Sequence, residues 1–252
     1  MANEQEKELA GRAAAQLVRD GDIVGLGTGS TAYYAVVAIG ERVKAGLKVL
    51  GIPTSDATAN LALTLGIPLT SLEENPVLDI DIDGADEVDP QLRLIKGGGG
   101  ALLREKIIAS ASRKFVVVAD SSKVVRALGK FPLPVEIIDF ARPVLEKKIA
   151  ALGAVTRLRL KSDGTPFITD EGHHILDCTF GKISDPPALA RALSELPGVV
   201  EHGLFIGLAK QVFVGRGAKV EEIRPRSRSP KPNRSKRITR KPARKKHSQR
   251  RT

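Results

Sequence analysis

From Ile23 to Ala119 the chain alternates short apolar runs with stretches of helical spacing, and few architectures accept that order. Ile23-Val24-Gly25-Leu26 carries no polar residue, as in a parallel strand buried on both faces. Gly27-Thr28-Gly29-Ser30-Thr31 follows, then a helical pattern from Ala32 to Lys44. The order repeats with a strand from Lys48 to Ile52, an N-cap at Ser55 or Asp56, and a helix from Ala57 to Leu65 stopped by Gly66. Val77 to Asp83 sets Leu78, Ile80 and Ile82 against Asp79, Asp81 and Asp83 and breaks at Gly84; a helix from Ala101 to Ser112 then leads to the apolar strand Phe115 to Ala119. Ahead of the first strand, Glu4 to Arg19 places Leu9, Ala10, Ala13, Ala14, Leu17 and Val18 at helical spacing. Alternation of this kind specifies an α/β fold with a parallel sheet covered on both faces.

After Lys130 the rhythm changes. A strand at Val135 to Ile138, a helix at Pro143 to Leu152, strands at Val155 to Leu160 and His174 to Thr179, a helix at Pro187 to Leu196 and a strand at Val199 to Phe205 give β-α-β-β-α-β, the ferredoxin-like order. The reading is a large sheet domain over residues 1–130 and 205–223, rejoined by Val212 to Val214, with a smaller domain over 131–204. From Arg224 to Thr252, 14 of the 40 Lys+Arg occur with no acid, leaving 26 basic against 29 acidic residues upstream. The net charge of +11 therefore belongs to a Pro/Ser/Arg/Lys tail, predicted to be disordered because it has little to bury. No run approaches the roughly 18 apolar residues of a membrane span, and the first residues lack an apolar signal core, so the expected location is cytoplasmic. Cys178 is the single cysteine, which excludes an internal disulfide or a zinc knuckle and fits a small core residue.

Three loops carry chemistry. Gly25-Leu26-Gly27-Thr28-Gly29-Ser30-Thr31 joins a strand to a helix, where free N–H groups and the helix dipole favour an anion such as phosphate. It fails the dinucleotide fingerprint, since Ser30 replaces the third glycine and no acid ends the next strand; no P-loop occurs anywhere. Asp83-Gly84-Ala85-Asp86-Glu87 lies at a strand end, where two carboxylates around a glycine can converge on one polyol. Lys96-Gly97-Gly98-Gly99-Gly100 spends backbone entropy that a plain loop would not need, which points to close approach of the backbone to a ligand. Glu105 falls early in the following helix, within reach of the same cleft. Adjacent histidines such as His173 and His174 would point to opposite faces if in a strand, and His202 and His247 lie far off in sequence, so no metal is expected.

These segments, together with Thr54-Ser55-Asp56-Ala57, Arg104-Glu105-Lys106-Ile107-Ile108 and Gly129-Lys130-Phe131-Pro132-Leu133-Pro134-Val135-Glu136, resemble the ribose-5-phosphate isomerase A family in order and spacing, from about Lys7 to Val220. The resemblance implies a Rossmann-like domain with a small α/β domain, a homo-oligomer (dimer or tetramer), and cofactor-free, metal-independent interconversion of ribose 5-phosphate and ribulose 5-phosphate in the pentose phosphate pathway. It makes Glu105 the base that moves a proton between C1 and C2, with Asp83, Asp86 and Lys96 holding and polarising the sugar. Thr28, Gly29, Ser30, Thr31, Gly84, Ala85, Gly97, Gly98 and Gly99 line the substrate site in this reading, with Lys123 and Lys7 adding positive charge. Gly100 stands where the family often has Ala, His173-His174 where Asn-rich turns are usual, and the basic tail has no counterpart.

Two alternatives remain at this level: a related sugar-phosphate deaminase or sensor, and a nucleic-acid binder driven by the tail. The first is not expected to combine all three loops with Arg104-Glu105; the second lacks a recognition helix, a zinc finger or aromatic stacking surface, aromatics being 4%. A chain ending at Glu222 is expected to keep its turnover and to lose any weak, salt-sensitive binding to DNA or RNA, measured by isomerase assay and DNA binding at two salt concentrations. Lost turnover in well-folded truncated protein would place the tail in the site or the oligomer.

Overall fold

The computed structural model describes residues 2–225; the basic tail, expected to be disordered and to attract polyanions, lies outside the described residues from Arg226 onward. Helix α1 (Ala2–Ala15) leads into β1 (Ile23–Leu26), α2 (Ala32–Lys44), β2 (Leu50–Pro53), α3 (Asp56–Leu65), β3 (Ile80–Gly84), β4 (Glu87–Val88), β5 (Leu94–Ile95), α4 (Leu102–Ala111) and β6 (Phe115–Asp120). Then come β7 (Leu133–Ile137), α5 (Arg142–Ala151), β8 (Val155–Leu158), β9 (His174–Thr179), α6 (Pro186–Ser194), β10 (Val199–His202), β11 (Leu204–Phe205), β12 (Ala209–Arg216) and β13 (Lys219–Ile223).

The main sheet runs β13-β12-β6-β3-β1-β2, parallel except for the β12–β13 hairpin. From β1 the chain steps outward to β2 and then returns across β1 to β3. The β1/β3 junction is therefore the switch point, where crossovers diverge and leave a crevice beyond the strand ends. One core, with Val24, Leu26, Ile80, Ile82 and Val116, packs the sheet against α1 and α2. A second sheet, β10-β7-β9-β8, is wholly antiparallel and has the fourth-first-third-second order of the β-α-β-β-α-β pattern. Its core gathers Val135, Ile137, Leu145, Leu176 and Leu193 around Cys178, whose thiol burial pushes up to about 12.

Two expectations need correction. Val199 to Phe205 is not one strand: β10 belongs to the second sheet and β11 pairs with β5 in a separate three-stranded sheet with β4. Gly203 makes the break, donating its N–H to Pro134 O at 2.7 Å and accepting Lys96 N–H at 2.9 Å; a Cβ there would overlap the Lys96 carbonyl. The first helix stops at Ala15 rather than Arg19, because Leu17 and Val18 turn back in tighter i→i+3 bonds to Ala14 and Ala15.

Strand β3 is buried on both faces, so its alternating acids have no water to face. Asp81 is completely buried, and neither carboxylate oxygen has a hydrogen-bond partner. Burial, and then the neighbouring Asp83, hold its pKa well above the ordinary value of 3.8 against the pull of Lys96. The folded chain thus keeps this proton after the unfolded chain has lost it, and stability falls as pH rises from the unfolded pKa toward the folded one. Asp81→Asn is expected to melt at a higher temperature than the parent, by a margin that widens as the pH is raised above the ordinary carboxylate value. A constant or shrinking margin in calorimetry would show that Asp81 is ionised in the fold.

Candidate active site

At the end of β1 the chain has spent its first free donors internally. Thr28 N–H donates to Asp83 Oδ1 at 2.9 Å, and the Thr28 hydroxyl lies 2.7 Å from Thr54 Oγ1 and 2.8 Å from Ser55 Oγ. Thr58 closes this hydroxyl cluster by donating to Gly27 O at 3.1 Å. Gly27 must be glycine, since a Cβ would fall on Asp83 and the Ile82 carbonyl. The N–H groups of Gly29, Ser30 and Thr31 make no hydrogen bond among the described residues and sit just before α2, whose first turn holds no acid. Free donors at a helix N-terminus are suited to an anion, which the helix dipole also favours.

The opposite wall is built around Lys96, at the end of β5. Its side chain is 2% exposed, and the ammonium reaches Gly84 O at 2.7 Å, Asp83 Oδ2 at 3.0 Å and Glu105 Oε1 at 3.3 Å. Gly84 O accepts its hydrogen bond and the two carboxylates pair with its charge, which also lies 5.5 Å from the Phe205 ring centroid. Burial alone would discharge this lysine, but Asp83 and Glu105 hold its pKa above the ordinary lysine value. Burial pushes the Glu105 carboxyl up to about 8, with Lys96 opposing and Asp83 and Asp86 adding to the rise. Glu105 Oε2 is buried and has no partner, so one oxygen is anchored by the lysine and the other is free to exchange a proton.

Asp86 holds the glycine loop, accepting Gly98 N–H on Oδ2 at 2.7 Å. A cleft of about 410 Å³ is enclosed by Thr28, Gly29, Ser30, Thr31, Gly84, Ala85, Asp86, Lys96, Gly97, Gly98, Gly99, Glu105 and Lys123. Every one of these residues was singled out in the sequence. Asp83 does not line the cleft; fully buried beneath it, it ties Lys96 to the Thr28 turn and accepts Gly84 N–H at 2.7 Å. Lys7 also stands outside the lining and pairs with Glu4 at 2.6 Å. Its neighbour Glu6 is bound to Ser121 N–H at 2.9 Å, in the turn that carries Lys123. Sequence reasoning offered Ser55 or Asp56 as the N-cap of α3, a role that Ser55 takes by accepting Thr58 N–H at 3.1 Å, but passed over Asp81 and the hydroxyl cluster of Thr54, Ser55 and Thr58 around Thr28. The signal for Asp81 was available, because an acid at every second position of a doubly covered strand must be buried.

His173 and His174 have different partners, Nδ1 of the first lying 3.0 Å from Glu136 and that of the second 2.8 Å from Asp139, and only His174 belongs to β9. Chemically, the cleft places an anion site at one end and a buried cation beside a proton-accepting carboxylate at the other. That arrangement suits a small phosphorylated sugar and proton transfer next to its carbonyl.

Comparison with known proteins agrees with this chemistry. The family description of ribose 5-phosphate isomerase A (phosphoriboisomerase A) matches residues 50–219. The chain is 54% identical over 220 residues to a ribose-5-phosphate isomerase A of Parvibaculum lavamentivorans, covering 85% of this chain and 95% of that one. Among solved structures, a D-ribose-5-phosphate isomerase in complex with phospho-erythronic acid superposes with a TM-score of 0.86 at 38% identity, covering 89% of this chain and all of that one. Ribose 5-phosphate isomerase A of Methanocaldococcus jannaschii gives a TM-score of 0.83 at 41% identity, over 86% of this chain and 97% of its own. With sequence and overall fold in agreement, the chain belongs to the ribose 5-phosphate isomerase A family.

Proposed function

We propose that the chain interconverts D-ribose 5-phosphate and D-ribulose 5-phosphate, with Glu105 as the base and Lys96 as the electrophile. The observation that carries this is the Lys96 ammonium held 3.3 Å from Glu105 at the floor of the cleft, with Glu105 Oε2 left unpaired. The phosphate binds the free N–H groups of Gly29, Ser30 and Thr31, with Lys123 adding charge, and the open-chain carbonyl end lies over Lys96. Glu105 Oε2 takes the C2 proton; the C2 electrons form the C1–C2 double bond and the carbonyl electrons move to O1, where Lys96 stabilises the oxyanion. O1 is protonated as O2 loses its proton, an exchange that suits Asp86 at the cleft wall, and Glu105 returns its proton to C1 to leave the ketose. No net oxidation occurs and every proton is returned. Asp83 acts from below, fixing the lysine rather than touching the sugar.

Lys96 supplies the positive charge that the enediolate requires, so the reading needs no metal. It extends to a homo-oligomer, dimer or tetramer, working in the cytoplasm.

Glu105→Gln keeps the volume and removes the base, so kcat is expected to fall by at least about 10²-fold while substrate still binds. Near-normal turnover in a coupled assay of ribose 5-phosphate consumption would sink the assignment. Because the base must be ionised, kcat/KM of the parent is expected to fall about tenfold per pH unit below an apparent pKa of about 8. A limb at the ordinary glutamate value of 4.5 would contradict the buried-base account.

A further inference from the structure

The glycine loop is held from two sides, and the second side comes from the other sheet. Arg159, just beyond β8, donates Nη1 to Gly97 O at 2.8 Å and to Gly98 O at 3.2 Å. Its Nε is anchored on Asp177 of β9 at 2.9 Å, and its guanidinium lies 5.9 Å from the Phe167 ring, which packs against Gly100. On the far side, Gly98 N–H is taken by Asp86. The Gly97–Gly98 peptide is thus bonded at both its carbonyl and its N–H. In the next peptide, which is trans, the Gly98 carbonyl faces Arg159, so the Gly99 N–H points the opposite way. Gly99 lines the cleft, and its N–H makes no hydrogen bond among the described residues.

We propose that Arg159 is a positioning residue for the isomerisation, orienting the Gly98–Gly99 peptide so that the Gly99 N–H donates to an oxygen at the reacting end of the sugar. This rests on the isomerase reading above. Glycines leave these peptides free to rotate, and a planar guanidinium fork holds two carbonyls and a carboxylate in one fixed geometry that an ammonium on a flexible stem does not impose. The second sheet thereby helps to shape a cleft otherwise built on the main sheet and the small three-stranded one.

The test uses the full chain with Arg159→Ala and Arg159→Lys, steady-state kinetics on ribose 5-phosphate, thermal melting, and inorganic phosphate as a competitive inhibitor probing the Gly29–Thr31 end. Arg159→Ala is expected to lower kcat by about 10- to 100-fold while the phosphate inhibition constant stays within about 2-fold of the parent. Arg159→Lys should recover part of that loss, and free guanidinium should restore turnover to the alanine variant without raising that of the parent. Folded alanine variant with parental kcat overturns the proposal, as does a parallel loss of turnover and phosphate inhibition, which would mean general collapse of the cleft. If the alanine variant fails to fold, the lysine variant decides: a kcat reduced several-fold with unchanged phosphate inhibition supports it, and parental kcat overturns it. A parent protein without turnover removes the isomerase reading and this inference together; an active parent with indifferent variants removes the inference alone.

Discussion

A lysine ammonium buried to 2% exposure is the constraint around which the site is organised. Taking that charge out of water is tolerable only with close counter-charges, which Lys96 obtains from Asp83 and Glu105, together with a hydrogen bond to the Gly84 carbonyl. Removing one partner of such a buried pair typically costs about 3–5 kcal/mol, because the charge left behind is uncompensated. The arrangement is nevertheless unbalanced. Asp81, Asp83 and Glu105 all interact with one lysine, and burial resists a net negative charge, so protons are retained on carboxyls that water would strip. A carboxyl poised near neutral pH follows from that imbalance.

The fold supplies the four groups from separate places. Asp81 and Asp83 come from the strand at the switch point, Lys96 from β5, and Glu105 from the first turn of α4. Small two-residue strands matter here out of proportion to their length. Strand β11 fixes β5 through Leu204 and Phe205, sets the Phe205 ring near the Lys96 ammonium, and brings Gly203 against the Lys96 backbone. On the same ring, 4.9 Å from its centroid, lies Lys106, which burial pushes below the ordinary lysine value and which Glu201 holds at 2.6 Å. The helix that presents Glu105 is thereby tied to the strand that backs Lys96.

The parts legible in the sequence were those with a periodic or compositional signal. Strand Ile23–Leu26 and helix Ala32–Lys44 declared themselves through unbroken apolar character and helical spacing, and the strand His174–Thr179 fell at its expected bounds. The cleft was legible because glycine clusters and paired acids have few other uses. Strands β4, β5 and β11 were not, since two residues carry no period, and β13 is too exposed to show an apolar face. Asp83 was identified but assigned to the sugar, whereas the fold places it below the floor; spacing in sequence gives the strand face and not the depth. Arg159 was invisible because its target is a main-chain carbonyl 62 residues away, which no side-chain pattern records.

The central claim is that Glu105 keeps a proton near neutral pH because it is buried beside a lysine and further carboxyls. The direct measurement is a pH titration of the side-chain carboxyls by carbon-13 NMR in protein labelled at glutamate, comparing the parent with Glu105→Gln. One resonance, absent from the variant, is expected to titrate with an apparent pKa of about 8. If every glutamate carboxyl titrates near the ordinary 4.5, the buried-base account is wrong.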